Sequence, residues 1–353
     1  MSGIAPRYEV LVGGRDVTEN ISADVLSVSF EDHATDADMA SLVIANPGNR
    51  WTDSPVFTVG NVLELAIGYG HSLGPVFKGP IVRPECSFPE DGVPTLTVRA
   101  YDLSHSMRRV VEGEGRRRAT TWQEITDSDL AKQLAQKHGL SDLDIEETTL
   151  VIPYVAQGNE TDWAFLKRRA ERIGFEVFVE RDTFHFHAPR DATASAEEAL
   201  EYRRNLRSFD VRLSVERQVT KVVVKGWDAE KKEPIVAIAT GGDTARSVLG
   251  EKAASDFVKE DFGEGAKILH DLVPRSVKEA EELAKACLRK SEYALIEGSG
   301  SVVGDPALKA KTIIEVAGVG ARYSGPYYLT RVTHSIGDGG YVSDFECHRN
   351  AVS

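Results

Sequence analysis

Apolar and polar residues alternate with a period of two at both ends of this chain. From Tyr8 to about Tyr101 the alternation occurs in short segments separated by turn residues, such as residues 62–67. It returns at Val211 and continues, with interruptions, to Cys347. Alternation indicates half-buried strands, and many short strands at even spacing are typical of a β-sandwich or barrel. The two ends of the chain therefore predict two all-β units.

Part of this pattern repeats after 251 residues. Residues 62–66 (VLELA) align without a gap on residues 313–317 (IIEVA), and Gly74-Pro75 then aligns on Gly325-Pro326. In both copies a strand ends shortly before the Gly-Pro pair that opens the next strand. Self-similarity at a fixed spacing indicates repeated structural units. We therefore predict that the two β-units are duplicates of one another.

The segment between the β-units has a different period. Apolar residues recur at helical spacing over residues 121–139 and 162–173, and Gly174 supplies a stop for the second helix. Residues 175–187 alternate again and turn at Arg181-Asp182, which predicts a hairpin. Two helices and a hairpin make a middle α+β domain.

These patterns predict a mainly β chain with α+β insertions. A further helix over 277–293 starts with a capping box formed by Ser276 and Glu279. The predicted domains are a first β-barrel domain at 1–104, the middle α+β domain at 105–205, and a second β-barrel domain at 206–353 with a helical insertion at 241–295. Residues 191–199, rich in Ala, Ser and Glu, read as a linker.

The charge balance and the hydrophobic pattern exclude several classes of protein. The chain has 42 Lys and Arg against 55 Asp and Glu, a net charge of −13, which disfavours sequence-specific nucleic-acid binding because that depends on neutralising phosphates. We find no secretory signal and no stretch of about 18 apolar residues, so we predict synthesis in the cytoplasm and no membrane span. Arg108, Arg109 and residues 116–118 form the one basic cluster, which reads as a solvated loop or as a patch for an acidic protein.

The sequence gives little support for a cofactor site or a metal site. Cys86, Cys287 and Cys347 are isolated, so we predict neither a zinc site nor a disulfide framework. His185 and His187 can share one face of a strand, but the sequence places no third ligand beside them. No Gly-rich segment has the spacing of a phosphate-binding or dinucleotide-binding loop. We therefore predict no metal and no cofactor.

One motif suggests an enzyme. Residues 70–74 read G-x-S-x-G, the pattern of a hydrolase nucleophile elbow, which would make Ser72 the nucleophile and His71, His185 or His334 its base. That elbow needs a helix after the serine, whereas the residues that follow here continue as a strand. We therefore favour a hairpin loop and a protein that is not an enzyme. A serine hydrolase remains one alternative, and a β-rich glycan-binding adhesin is another.

Two segments resemble a known superfamily. Residues 154–175 (YVAQGNETDWAFLKRRAERIGF) are similar to the signature of the phage late control gene D proteins, whose superfamily includes contractile-tail baseplate hubs and the base of the type VI secretion spike. Residues 299–306 and 318–334 match a second part of that signature. We interpret the signature residues as residues that maintain the fold: Trp163, Phe165, Leu166, Gly174, Gly325, Pro326, Tyr328 and His334.

The resemblance implies an assembly role. Hubs of this superfamily form homotrimers in which each chain carries two tail-tube-like barrels, so that three chains present six positions to a hexameric tube. The expected product is a trimeric adaptor between inner tube and spike, made in the bacterial cytoplasm and assembled into the baseplate of a phage tail or tail-like particle. Expected partners are the inner tube protein, other baseplate proteins, and cargo or a tape-measure protein in the lumen. Because the sequence ends shortly after Asn350, we also expect a separate spike protein.

Overall fold

The computed structural model describes residues 5–109, 120–189, 195–228, 231–244, 248–270 and 274–352. Residues 116–118 of the predicted basic cluster and residues 191–194 of the predicted linker lie outside these ranges. The helices are α1 (Thr18–Ile21), α2 (His105–Arg108), α3 (Asp127–Lys137), α4 (Asp162–Ile173), α5 (Gly241–Thr244), α6 (Ala254–Phe262) and α7 (Val277–Glu292), with short 3₁₀ turns at Pro47–Asn49 and Pro55–Phe57.

Strands make up most of the regular structure. Those of the first part are β1 (Pro6–Val12), β2 (Arg15–Asp16), β3 (Val25–His33), β4 (Met39–Ala45), β5 (Val62–Tyr69), β6 (Ser72–Ser87) and β7 (Thr95–Tyr101). Those of the middle part are β8 (Thr120–Ile125), β9 (Asp142–Ile145), β10 (Ile152–Gln157), β11 (Glu176–Glu180) and β12 (Thr183–His187). Those of the last part are β13 (Glu198–Glu201), β14 (Leu206–Leu213), β15 (Lys221–Asp228), β16 (Glu233–Thr240), β17 (Lys252–Ala253), β18 (Ala266–Leu269), β19 (Ile296–Val303), β20 (Ile313–Ala317), β21 (Gly325–Gly337), β22 (Gly340–Arg349) and β23 (Ala351–Val352).

The first and last parts contain sheets with the same strand order. In the first part the order is β1-β5-β6-β7-β4-β3, and in the last part it is β13-β20-β21-β22-β19-β14. When the two-residue strand β2 is left out and the strands of each sheet are counted along the chain, both sheets have the order 1-4-5-6-3-2. The edge strands differ in direction, since β1 is antiparallel to β5 whereas β13 is parallel to β20. Each sheet buries its own apolar cluster, around Leu63 and Phe77 in the first and around Ile314 and Phe345 in the second.

Irregularities in the ladders also match. A bulge follows the first paired residue of β3 at Val25 and of β14 at Leu206. A second bulge lies after Ile81 in β6 and after Leu329 in β21. Bulges re-aim strands at defined positions, so two pairs of matching bulges strengthen the equivalence that the strand orders show.

The β5–β6 and β20–β21 hairpins correspond to each other, but the 251-residue repeat holds only for their first strands, β5 and β20. Val62 pairs with Pro80 in the first sheet, and Ile313, exactly 251 residues later, pairs with Tyr328 in the second. Pro80 and Tyr328 are 248 residues apart, so β6 and β21 correspond with a shift of 248. The Gly-Pro pairs that the sequence aligned are therefore three positions out of register. The turns differ in length: two residues connect β5 to β6, and seven connect β20 to β21.

The middle unit packs helices against a small sheet. Helix α4 has the predicted bounds, with Thr161 capping its N-terminus and Gly174 ending it in the left-handed region at φ 71°. Helix α3 is shorter than predicted, because residues 120–125 form β8 and pair with β10. Trp163, Phe165 and Leu166 are buried in a core that includes the β11–β12 hairpin.

A further unit separates β14 from β19. Strands β16, β15 and β18 form a three-stranded sheet, and α7 packs against it over an apolar cluster that includes Val222, Ala237 and Leu283. This unit begins before the predicted insertion at 241–295, because residues 221–240 pair with each other and with β18 instead of joining the second sheet. No helix in the described ranges is both long enough and apolar enough to cross a membrane.

Candidate functional site at the junction of the sheets

The two sheets are joined by direct strand pairing. Strand β21 is 13 residues long, and its start pairs with β20 through residues 325–328. Its second half leaves β20 and pairs antiparallel with β3, with Arg331 opposite His33 and Ile336 opposite Val28. We call this pairing of residues 331–336 with residues 28–33 the seam. It makes one continuous sheet from the two halves.

A buried lysine lies beside the seam. Lys311 is 7% exposed, and its Nζ contacts Asp32 Oδ1 and donates a hydrogen bond to the His33 carbonyl at 3.0 Å. Asp38 Oδ1 lies 3.8 Å from the same Nζ. The other oxygen of Asp32 accepts the Ala310 N–H at 2.9 Å. One cation of the last part of the chain thus binds two acidic residues of the first part.

Opposing effects set the charges of this cluster. Burial lowers the pKa of Lys311, but the carboxylates of Asp32 and Asp38 outweigh that effect and hold the pKa above its ordinary value. Burial raises the pKa of Asp38 well above its ordinary value, although Lys311 acts in the opposite direction. Burial also raises the pKa of Asp102, whose Oδ2 accepts the Asp38 N–H at 2.6 Å. Lys311 is therefore the cation that stabilises the buried carboxyl groups of Asp32 and Asp38.

The middle unit contacts the same region. Lys311 Nζ lies 4.7 Å from the centre of the Phe178 ring on β11. Next to it, the Tyr328 hydroxyl donates to the carboxylate of Glu176, with oxygen distances of 2.6 and 2.7 Å. Burial raises the pKa of Glu176, while the hydrogen bond from Tyr328 lowers it. Tyr328 is a signature residue, and its hydroxyl links the second sheet to the middle unit.

His334 lies within the seam. Its Nε2 is 3.1 Å from the Leu308 carbonyl, which can only accept, so Nε2 carries the proton. Its Nδ1 then accepts from the hydroxyls of Ser343 and Tyr341, each at 2.9 Å. The ring stacks on Phe30, the residue opposite it in β3, with centroids 5.9 Å apart. Burial lowers the pKa of His334 to about 4, so the ring is neutral at pH 7.

Gly325 and Pro326 lie on β21 with Tyr328 and His334, and the remaining signature residues lie on or at the end of α4. Gly325 has φ 132°, and a Cβ there would lie 2.9 Å from Arg349 Nη1. Pro326 pairs with Glu315 on β20. The Gly174 carbonyl accepts from Arg289 on α7 at 3.3 Å, and a Cβ on Gly174 would contact Ala286 at 3.3 Å. The structure therefore distributes the signature over the middle core and β21 and does not gather it into one pocket.

Ser72 does not lie in a nucleophile elbow. Ser72 lies at the start of β6, opposite Tyr69 and directly after the turn Gly70-His71, and a strand follows it as the sequence predicted. A nucleophile elbow requires a helix at that point. The proposed base His334 is buried in the seam and bonded at both ring nitrogens.

The structure adds a third candidate ligand to the two histidines of β12. Strand β9 pairs in parallel with β12 and places Asp144 directly opposite His185. Ligand atoms of Asp144, His185 and His187 lie within 4.8 Å of one another. His185 Nδ1 is 3.0 Å from Asp144 Oδ2, and His187 Nδ1 donates to the Ala188 carbonyl at 2.7 Å. Sequence analysis missed Asp144 because it is about 40 residues from the histidines and reaches them only through strand pairing.

A family model and curated proteins match this chain. The family model described as the Alg8 N-terminal domain matches residues 4–338. Over 201 residues the chain is 30% identical to the probable baseplate hub protein of Escherichia phage P2, a match that covers 55% of this chain and 48% of that protein. The chain thus spans about half the length of the curated relatives it matches.

Solved structures share the fold over almost the whole chain. The 43 kDa tail protein of prophage MuSo2 from Shewanella oneidensis has a TM-score of 0.73 at 13% identity, covering 99% of this chain and 100% of that one. The E. coli c3393 protein, described as a type VI secretion component structurally similar to T4 bacteriophage tail proteins gp27 and gp5, has a TM-score of 0.60 at 12% identity over 92% of this chain and 73% of its own. These likenesses concern the fold.

Proposed function

This chain belongs to the Alg8 N-terminal domain family, and on that premise we propose that it is a structural baseplate hub of a contractile phage tail or tail-like injection particle. The segments at 154–175 and 299–334 predicted a relationship to the superfamily of phage baseplate hubs and type VI spike bases, and the relatives found confirm that relationship. The role proposed is an adaptor that connects a hexameric inner tube to a trimeric spike.

The repeated strand order carries the proposal. One chain contains two sheets whose six strands follow one order and whose bulges match. A homotrimer would therefore present six similar sheet units. Closed rotational symmetry is the common form of soluble homo-oligomers, and a ring of six similar units built from three chains matches both sixfold and threefold partners.

The seam shows how such units can be joined. Within the chain, the second half of β21 adds to the edge of the first sheet through residues 28–33. Main-chain pairing of this kind depends little on side-chain identity and is a recurring way to extend a sheet. The finer assignments are part of the proposal: a homotrimer, contacts to the tube protein and to a separate spike protein, other baseplate neighbours, and cargo or a tape-measure protein in the lumen.

No chemistry is required of the chain in this role. The relatives named above are described as baseplate or tail proteins, and Ser72 lies on a hairpin strand. We therefore infer a geometric mechanism in which the hub supplies matched surfaces and catalyses no reaction.

The mass of the assembly tests the proposal. We expect the full chain, mixed with the tube and spike proteins of its own particle, to give a complex with three copies of the chain by native mass spectrometry and light scattering. Electron micrographs of that complex should show the hub between tube and spike. A chain that stays monomeric at micromolar concentration with both partners present would contradict the proposed function.

A further inference from the structure

The small sheet of the middle unit has one apolar face and one polar face. Four apolar residues of β9 and β12 pack into the core of this unit: Leu143, Ile145, Phe184 and Phe186. Because side chains alternate across a strand, the residues between them share the opposite face. There Asp144 of β9 lies directly opposite His185 of β12, and His187 follows two residues later. Alternation and the register of β9 on β12 therefore bring two imidazoles and one carboxylate together.

The three polar side chains are close enough to share one metal ion. Asp144, His185 and His187 each offer a ligand atom that lies within 4.8 Å of the other two. Two ligand atoms of a tetrahedral zinc site, each about 2.0–2.1 Å from the ion, are about 3.3 Å apart. His185 Nδ1 and Asp144 Oδ2 are 3.0 Å apart, so this pair already has a suitable spacing. The remaining ligand atom needs to approach by at most about 1.5 Å to reach the same spacing.

His187 presents a free lone pair on its second ring nitrogen. Its Nδ1 lies 2.7 Å from the Ala188 carbonyl, which can only accept, so Nδ1 carries the proton and Nε2 holds the lone pair. The carboxylate of Glu146 accepts the Ala188 N–H at 3.0 Å and so holds Ala188 in place. A metal-binding histidine usually donates its other N–H to a carbonyl or carboxylate, which sets its tautomer and the direction of its ring. His187 already has this supporting contact.

Phe178 on β11 packs against both imidazole rings. The His185 ring stacks on Phe178 with centroids 4.5 Å apart, and the His187 ring meets Phe178 edge to face at 5.5 Å. The His185 side chain is 15% exposed, whereas the Asp144 side chain is 63% exposed. Packing therefore fixes the imidazoles, and the carboxylate lies on the solvent side. An ion held here would have a coordination position that water can reach.

We propose that Asp144, His185 and His187 bind one zinc ion per chain, with water as the fourth ligand. The ion takes the place of the proton that His185 Nδ1 shares with Asp144, and that proton is released to the solvent. Imidazole nitrogens and a carboxylate suit zinc, whereas magnesium and calcium prefer sites made of oxygen atoms alone. The sequence predicted no metal because it placed no third ligand beside the histidines, and β9 supplies that ligand.

The role of the ion is structural, because it joins two strands that share a short ladder. Strand β9 pairs in parallel with β12 over residues 142–145 only, and it is an edge strand of its sheet. Asp144 belongs to β9 and both histidines belong to β12, so the ion binds across this ladder. A ligand that binds the folded state alone stabilises that state by mass action. Zinc should therefore raise the melting temperature of the chain and slow amide hydrogen exchange in residues 142–145.

Zinc titration of the full chain tests the site. After bound metals are removed with a chelator, calorimetric titration with zinc chloride should show one strong site per chain, and millimolar magnesium should not compete. Asp144→Asn and His187→Gln should each weaken this binding at least about tenfold. Asp142→Asn is the matched control and should keep the natural affinity. Asp142 lies on the same face of the same strand, but it is opposite Thr183, from which it accepts a hydrogen bond.

Chemical modification of the natural chain locates the ion without any substitution. Zinc should protect His185 and His187 from diethyl pyrocarbonate, as read by mass spectrometry of peptides, whereas the exposed His71 should react equally with and without zinc. Zinc should also raise the melting temperature of Asp142→Asn but not that of Asp144→Asn.

Three results would overturn the proposed zinc site. They are an absence of strong zinc binding to the natural chain, equal zinc affinity of Asp144→Asn and Asp142→Asn, and modification of His185 and His187 that zinc leaves unchanged. None of them bears on the proposed baseplate function, which the mass of the assembly tests separately.

Discussion

His334 illustrates how a single residue can serve the fold by remaining uncharged. Its Nε2 donates to the Leu308 carbonyl, and its Nδ1 accepts from two hydroxyls. Those partners satisfy the neutral imidazole completely, and burial lowers its pKa to about 4. Protonation would place a charge in the seam between the two sheets, so the stability of the chain depends on this ring remaining neutral.

The first prediction concerns pH. In the unfolded chain the pKa of His334 returns to about 6.5, so between pH 6.5 and 4 the unfolded state binds more protons at this site than the folded state. The free energy of unfolding should therefore fall as the pH drops through this window, by about 3 kcal/mol in total from this residue. Above pH 6.5 and below pH 4, His334 should cause no further change in the free energy of unfolding.

Denaturant unfolding at pH 7 and pH 4.5 measures this contribution. His334→Gln should be less stable at pH 7 and should show a smaller loss of stability between the two pH values than the natural chain. His71→Gln, in an exposed turn, is the matched control and should keep the natural slope. Equal slopes for all three chains would contradict the assignment.

At the scale of the element, β6 depends on one close approach of two backbones. The strand pairs with β5 over its first half and with β7 over its second half. Gly79 lies where it passes between these partners, and a Cβ there would be 1.9 Å from the Tyr101 carbonyl oxygen. Backbone atoms cannot move aside as a flexible side chain can, so glycine is required for β6 to contact both partners.

The second prediction follows from that contact. Gly79→Ala should destabilise the chain by at least about 1–3 kcal/mol, because the methyl group forces β6 and β7 apart. Gly74→Ala, in the same strand, is the control: its Cβ would meet nothing closer than the Ile67 carbonyl at 4.0 Å. Thermal unfolding of both variants decides the question, and equal melting temperatures would show that β6 tolerates a side chain at position 79.

For the whole molecule, the junction makes three parts interdependent. Lys311 comes from the last part of the chain, Asp32 and Asp38 from the first, and Phe178 from the middle unit. The cation and its acidic partners are separated by more than 270 residues in sequence. A buried charge that loses its partner is costly, so each part requires the others to be folded.

The third prediction is the effect of removing this cation. Lys311→Met should lower the free energy of unfolding by about 3–5 kcal/mol, because it leaves buried carboxyl groups without their partner. Adding Asp32→Asn should recover part of the loss. Lys309→Met is the control, since Lys309 pairs at the surface with Glu180, and it should change stability by about 1 kcal/mol or less. If Lys311→Met and Lys309→Met behave alike, the junction does not stabilise the molecule.

Sequence alone determined the features whose signals are local. Helix α4 has its predicted bounds because Thr161, the apolar face and Gly174 lie within one short segment. The strands at both ends were predicted because alternation can be read within a few residues. The 251-residue repeat located β5 and β20 correctly, since both strands carry apolar and acidic side chains in the same order.

Tertiary structure decided which strands are partners. Pairing between segments distant in sequence produces the 248-residue shift between β6 and β21 and the seam. It also buries Lys311 and places Asp144 beside His185. The side-chain pattern of an alternating strand shows which face is buried, but it does not show which strand pairs with each edge. The reason is that every residue except proline offers the same main-chain hydrogen-bonding groups. Only the packed molecule selects which edges are covered and which remain open.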